Sequence, residues 1–261
     1  MNRYIITAIG ITIIFLMNTL GASLVFIFRK NLSGKVNSLF LGFASGLMIA
    51  SSVWSLLLPA IEQSSNYGKF SFLPAALGMF LGTLFLVVMD KLIPYMLKQK
   101  RNKPNFKVKN SSKLFLAVTL HNIPEGLAVG LVFGNAFVIG ELAAFYSALW
   151  LAIGIGIQNF PEGSAVSLSM KDQLNSNKKA FWYSTLSGAV EPIMALIGIF
   201  LSSILSGIMP WLLAFAAGAM LFVVAEELLP EAKNSYPSSN VSGWGLILGF
   251  VIMMILDIAF G

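Results

Sequence analysis

The sequence predicts an all-α integral membrane protein, a compact bundle of eight transmembrane helices, and three observations carry that prediction. Apolar residues make up 57% of the 261 positions and charged residues only 11%, whereas an ordinary soluble domain carries about 25% charged residues. The apolar residues gather into eight runs, each near or above the roughly 20 residues with which an α-helix crosses a hydrocarbon core. The 17 basic residues are segregated into alternate connections, as orientation in a membrane demands.

Taken in order, the first run covers residues 4–28 and ends at Arg29-Lys30. It has no small-residue cleavage pattern, so it reads as a spanning helix rather than a signal peptide. Further runs lie near 36–61, 71–97, 114–134, 142–169, 180–206, 210–229 and 243–260. The first, third, fifth and seventh connections hold every basic residue except Arg3 and Lys69. With an even number of spans, this bias puts both termini outside and the long connection 98–113 in the cytoplasm. That basic loop between the third and fourth helices, with Pro104 and several Asn and Ser residues, reads as a solvated linker, contact with anionic lipid being the alternative. The net charge of +6 thus reports orientation, and no nucleic-acid partner is expected. Residues 1–261 form one transmembrane domain, and function resides within the membrane. The absence of cysteine excludes disulfides, thiolate metal sites and cysteine nucleophiles. A single histidine, His121, excludes any mechanism that needs two. No nucleotide-binding G-x-x-x-x-G-K-[ST] run occurs, so this chain does not hydrolyse ATP. The paired intramembrane aspartates or G-x-S-x-G context of a membrane protease are also missing, so no enzyme is expected.

Glu125, Glu162 and Glu191 stand deep inside apolar runs. Each costs about 2.5–3.5 kcal/mol at a helix centre, and no lysine or arginine shares their depth, which leaves protonation, water or a bound cation to compensate. At 1.5 Å per helical residue they lie about 18, 14 and 18 Å from the nearest basic residue on the cytoplasmic side, close to the midplane of a core about 30 Å thick. Two of them end matching motifs, His121-Asn122-Ile123-Pro124-Glu125-Gly126 and Gln158-Asn159-Phe160-Pro161-Glu162-Gly163. The first and fifth members share a helix face, and the second lies three residues from the glutamate, so each motif presents three polar side chains together. Adjacent spans run antiparallel, which sets His121 level with Glu162 and Glu125 level with Gln158. Each proline frees a carbonyl one turn earlier. Imidazole, carboxylate and amide oxygen form a ligand set for a divalent metal, and a twofold pseudo-symmetric site on broken helices at the midplane is how secondary carriers are built. Small residues at four-residue spacing, Gly42/Gly46, Gly78/Gly82, Gly126/Gly130/Gly134 and Gly245/Gly249, predict close helix packing.

At these motifs the sequence resembles the ZIP (Zrt-, Irt-like protein) family of divalent metal transporters, and its bacterial GufA-like branch in particular. The likeness covers the whole chain. Ser187-Gly188-Ala189-Val190-Glu191-Pro192 is similar to the family's third metal-contributing segment. The resemblance implies a binuclear centre at the midplane of a bundle with inverted pseudo-symmetry. One ion would sit among His121, Glu125, Glu162 and a methionine of the second span, which Met48 fits, with Gln158 nearby. The other would sit among Asn122, Glu125, Asn159, Glu162 and Glu191. Without the resemblance, Met48 reads as packing. Gln158 and Asn159 stand where members of the family often carry a second histidine or an aspartate, so nitrogen ligation is limited to His121. Zinc is the first expectation for the cargo, with iron, manganese, cobalt and cadmium open. The resemblance further implies movement into the cytoplasm by alternating access, no prosthetic group, a homodimer, and a multi-pass place in a cell membrane, the bacterial inner membrane. A proton- or sodium-coupled carrier whose glutamates titrate is the alternative. Glu62 reads either as a carboxylate at the entrance or as an exposed helix-end charge, and Glu226 and Glu227 either as the exit or as a solvated helix end.

Overall fold

The computed structural model describes residues 2–28, 33–99, 110–237 and 239–260. Side chains are described for fewer residues inside the helices, and that of His121 is outside the described set. Eight helices are long and apolar enough to cross a membrane: α1 Arg3–Phe26, α2 Gly34–Gln63, α3 Phe72–Leu92, α4 Val118–Ile139, α5 Leu142–Lys171, α6 Asn177–Ile204, α7 Met209–Ser235 and α8 Val241–Ala259. No strand occurs among the described residues. Most of the basic loop after α3, residues 100–109, lies outside the described residues.

Local chemistry sets the ends of the helices. The side chains of Asn2, Ser33 and Ser176 accept from Tyr4, Val36 and Lys179 N–H groups at the starts of α1, α2 and α6, supplying partners that a first helical turn lacks. Gly140, at φ 79°, makes the tight reversal between α4 and α5, a backbone conformation that costs glycine little. The fourth span was expected to stop near Gly134, but its helix runs to Ile139. Gly134 packs against Ser202 and Ile199, so it serves contact and not termination.

The irregularities fall just before Pro59, Pro192 and Pro230, not at the motif prolines. Helices α4 and α5 continue through Pro124 and Pro161, because an interior proline removes only one hydrogen bond and tertiary packing holds the rest. The break comes in α6, whose first half ends at Gly188 and whose second starts at Val190. Helices α2 and α7 each contain a wide π-type turn, at Ser52–Leu57 and Val224–Leu228, followed in both by Leu-Pro.

Close packing sorts the eight helices into two bodies. The most extensive contacts join α1 with α5 and α4 with α6, and separately α2 with α8 and α3 with α7. Wherever a Cβ added to a described glycine would strike backbone, that backbone belongs to the same body. Across the divide, Gly154 of α5 meets only the flexible side chain of Met253 in α8.

The contacts of the second body also repeat. A Cβ on Gly82 of α3 would strike the carbonyl of Phe215 in α7, and one on Gly249 of α8 would strike the carbonyl of Phe43 in α2. Likewise Gly218 of α7 meets Met79 of α3 as Gly46 of α2 meets Leu246 of α8. The residues involved lie in related strings, Phe43-Ala44-Ser45-Gly46-Leu47-Met48 and Phe215-Ala216-Ala217-Gly218-Ala219-Met220.

Rigid backbone cannot give way, so Gly82→Ala and Gly249→Ala should each destabilise the protein by about 1–3 kcal/mol. Gly207 and Gly243 have nothing within 4 Å of an added Cβ, and their alanine variants should melt as the unmodified protein does. Thermal unfolding in detergent measures both.

Candidate metal centre

The first body gathers the deep polar residues. Asn122 and Glu125 come from α4, Gln158, Asn159 and Glu162 from α5, and Glu191 from α6. Glu125, Gln158 and Glu191 are fully buried, Asn122 and Asn159 are 1% exposed and Glu162 is 7% exposed. Close packing of α4 on α6 is made by glycines beside the ligand positions, since a Cβ on Gly126 would meet the backbone of Glu191. Ending the first half of α6 at Gly188 places Glu191 in the first turn of the second half, where unpaired N–H groups favour a negative side chain.

Amides hold the carboxylates. The Gln158 Nε2 donates to Glu125 Oε1 at 2.6 Å, so the two meet as the antiparallel register predicts. The Asn159 Nδ2 donates to Glu191 Oε2 at 2.5 Å and to the Ile14 carbonyl of α1 at 3.3 Å. Glu125, Glu162 and Glu191 lie close enough for their charges to interact. Among the described residues no three His, Cys, Asp or Glu side chains close into a metal cage by themselves. The amides interleave with the acids, and the imidazole of His121 lies outside the described set. Several oxygens in this layer accept no hydrogen bond from the described residues, including Gln158 Oε1, Asn159 Oδ1 and Glu191 Oε1. Buried acceptors without donors suit a cation.

Met48 is fully buried but belongs to α2, in the second body, which touches α5. It is the one residue of the expected ligand set that comes from that body.

Each end of the bundle has a cavity with acidic lining. The end bearing Lys35 and Lys233 holds one of about 350 Å³, lined by Glu162, Glu226, Glu227 and Glu231 together with Asn37 and Ser169. The end bearing the chain termini holds one of about 370 Å³, lined by Glu62, Asp257, Ser55, Asn135 and Trp54. The π-type turns of α7 and α2 supply Glu226–Glu227 and Trp54–Ser55 respectively.

Two polar residues here escape sequence reading. Asp257, three residues short of its apolar run's end, looks like a helix-end charge. In the structure it accepts a hydrogen bond from Ser55 Oγ at 2.6 Å and lines the termini-end cavity. Asn18 of α1 is 5% exposed and reaches Glu191. A lone asparagine in an apolar helix gave it no signal, although its place between two motif glycines is a sequence-distant constraint of a recognisable kind.

A helical membrane bundle with acids and amides at its centre and acidic cavities at both ends is the architecture of an ion carrier. The family model described as ZIP Zinc transporter matches residues 111–257. The chain is 39% identical to "Zinc transporter GufA" of Myxococcus xanthus over 89% of this chain and 90% of that protein. It is 36% identical to the human "Zinc transporter ZIP11" over 94% of each, and 32% identical to "Zinc transporter ZupT" of Streptococcus mutans over 98% of each. The chain therefore belongs to the ZIP family: it is a multi-pass membrane transporter and not an enzyme.

Removing the amide from Glu125 should cost stability. A hydrogen bond to a carboxylate contributes about 1.5–3 kcal/mol, so metal-free Gln158→Ala should lose roughly that amount. Saturating zinc should narrow the deficit, because a bound ion replaces the donor. Urea or thermal unfolding with chelator and with zinc gives the two values.

Proposed function

We propose that this protein carries divalent cations, zinc first among them, across the membrane into the cytoplasm through a binuclear site at the midplane. The observation that carries the reading is the convergence of Glu125, Glu162 and Glu191, with Gln158 and Asn159, in one buried layer at mid-depth of the bundle. Three ionised carboxylates face a deficit of one charge with one divalent ion and an excess of one with two. Either state is far cheaper than three bare anions in low dielectric. Glu125 and Glu162 would bridge ions about 3.5–4 Å apart. His121 and Met48 would complete one site, and Asn122, Asn159 and Glu191 the other. The cargo is a substrate, and no prosthetic group is required.

Alternating access follows from the two bodies. All proposed ligands except Met48 ride on α1, α4, α5 and α6, so a slide of that body against α2, α3, α7 and α8 would strip the ion from the thioether. The glycine contact across the boundary between the bodies, Gly154 with Met253, is to a flexible side chain and not to backbone, which supports it as the plane of motion. The paired contacts of Gly82 with Gly249 and of Gly46 with Gly218 support an inverted repeat relating the two ends of the bundle. Lysines gathered at the ends away from the termini support termini outside. Glu62, joined by Asp257, would collect ions at the entrance, and Glu226 and Glu227 would receive them from Glu162 at the exit. A homodimer in a bacterial inner membrane, formed by one domain per chain, completes the reading.

In sealed liposomes, an inward zinc gradient should drive zinc entry, and Glu162→Gln should reduce it by at least tenfold, a loss of about 1.4 kcal/mol or more. Joining Gly154→Cys to Met253→Cys with a reducible cross-linker should stop entry until reduction; the chain has no cysteine of its own. Flux that needs a proton or sodium gradient but no divalent metal would overturn the reading.

A further inference from the structure

Asn18 is buried in α1, against the α5 motif and the break of α6. The glycine that follows the motif glutamate in α4, Gly126, would strike the carbonyl of Glu191 if given a Cβ. The glycine that follows the motif glutamate in α5, Gly163, would strike the carbonyl of Asn18. Asn18 therefore stands to α5 as Glu191 stands to α4. The matched glycines come from matched motifs, so the correspondence rests on four named residues and not on general likeness of helices.

The Asn18 side chain is also held tightly. A Cβ on Gly188 would meet its Nδ2, and one on Gly163 its Oδ1. Only glycines leave space for the carboxamide at the break of α6 and beside Glu162. From this slot it reaches the Glu191 carboxylate, the same group whose Oε2 accepts from Asn159. Asn159 in turn donates to the carbonyl of Ile14, one turn before Asn18. Glu191 Oε1, Asn159 Oδ1 and Asn18 Oδ1 have no donor among the described residues, all three on side chains at least nine-tenths buried. Acceptors crowded without donors are costly unless a cation meets them.

We propose that Asn18 is a positioning residue of the metal centre, the α1 counterpart of Glu191, which aims the Glu191 carboxylate at the second ion and, by being neutral, limits how tightly that ion is held. The proposal rests on the binuclear reading above. Second-sphere partners that orient a ligand are worth about 10- to 100-fold in metal affinity. Removing the amide should therefore weaken the second ion, and replacing it with a carboxylate should strengthen it, while the first ion, held by His121 and Met48, is unaffected. A residue that only fills space would not produce shifts of opposite sign.

The experiment is zinc titration by calorimetry on the full-length protein in detergent, comparing Asn18→Leu, Asn18→Ala and Asn18→Asp with Glu191→Gln. Asn18→Leu should weaken the second zinc by about tenfold and Asn18→Asp tighten it by about tenfold, with the first zinc within threefold of the unmodified protein. Asn18→Ala, which removes atoms without adding any, gives the amide-free value if the leucine does not fold. Equal shifts at both ions, no shift at either, or shifts of one sign for Leu or Ala and Asp would overturn the proposal. Glu191→Gln separates the premises: if it keeps the second zinc at full affinity, the binuclear assignment fails, whatever the Asn18 variants do.

Discussion

Everything in this fold is subordinate to one electrostatic constraint: three carboxylates must be kept at the centre of a low-dielectric bundle. At about 2.5–3.5 kcal/mol each on the lenient insertion scale, they would together offset much of a domain's typical net stability of 5–15 kcal/mol. The chain meets the constraint in two ways. Amides from α5 and α1 donate to Glu125 and Glu191, and several acceptor oxygens are left for a cation. Neutral amides are suited to this, since they hold a carboxylate without cancelling its charge, whereas a lysine would compete with the cargo.

The same constraint explains why the helices approach so closely. Amides of α1 and α5 have to meet acids of α4, α5 and α6, so α4, α5 and α6 carry glycine directly after Glu125, after Glu162 and two residues before Val190. Each admits backbone or the Asn18 carboxamide where a methyl group would not fit. Lipid tails give no hydrophobic incentive for helices to associate, so such backbone contacts supply the packing. The second body has its own glycine contacts and no share in the acids, and its boundary with the first is made by side chains. In the proposed mechanism the body that bears the acids slides past the other, which exposes the site to alternate ends without dismantling it.

Much of this was legible in the chain. Apolar run length located all eight spans, because a hydrocarbon core imposes length directly. Glu125, Glu162 and Glu191 stood out because a charge in a span has few explanations, and the i, i+3 and i+4 rules grouped the amides with them. The pairing of Glu125 with Gln158 followed from antiparallel register alone. What could not be read depends on three-dimensional context. Pro124 and Pro161 sit in continuous helices while α6 breaks at Ala189, three residues before Pro192, since packing decides which proline-bearing helix yields. Gly134 packs as its four-residue spacing predicts, but the helix runs five residues past the apolar run that ends there, and Asn135 lines a cavity. Asp257 and Asn18 were hidden because their partners, Ser55 and Glu191, are distant in sequence. The paired strings at 43–48 and 215–220 become meaningful only when their glycines are seen to make equivalent contacts.

The central claim is that the three buried carboxylates are compensated by metal, and its most direct test is anomalous X-ray diffraction from crystals of the full-length protein grown with zinc or cadmium. The account predicts anomalous peaks between α4, α5 and α6, with at least one lying within bonding distance of both Glu125 and Glu162. Peaks confined to loops or to Glu62 and Glu231, with the central layer empty at saturating metal, would contradict it.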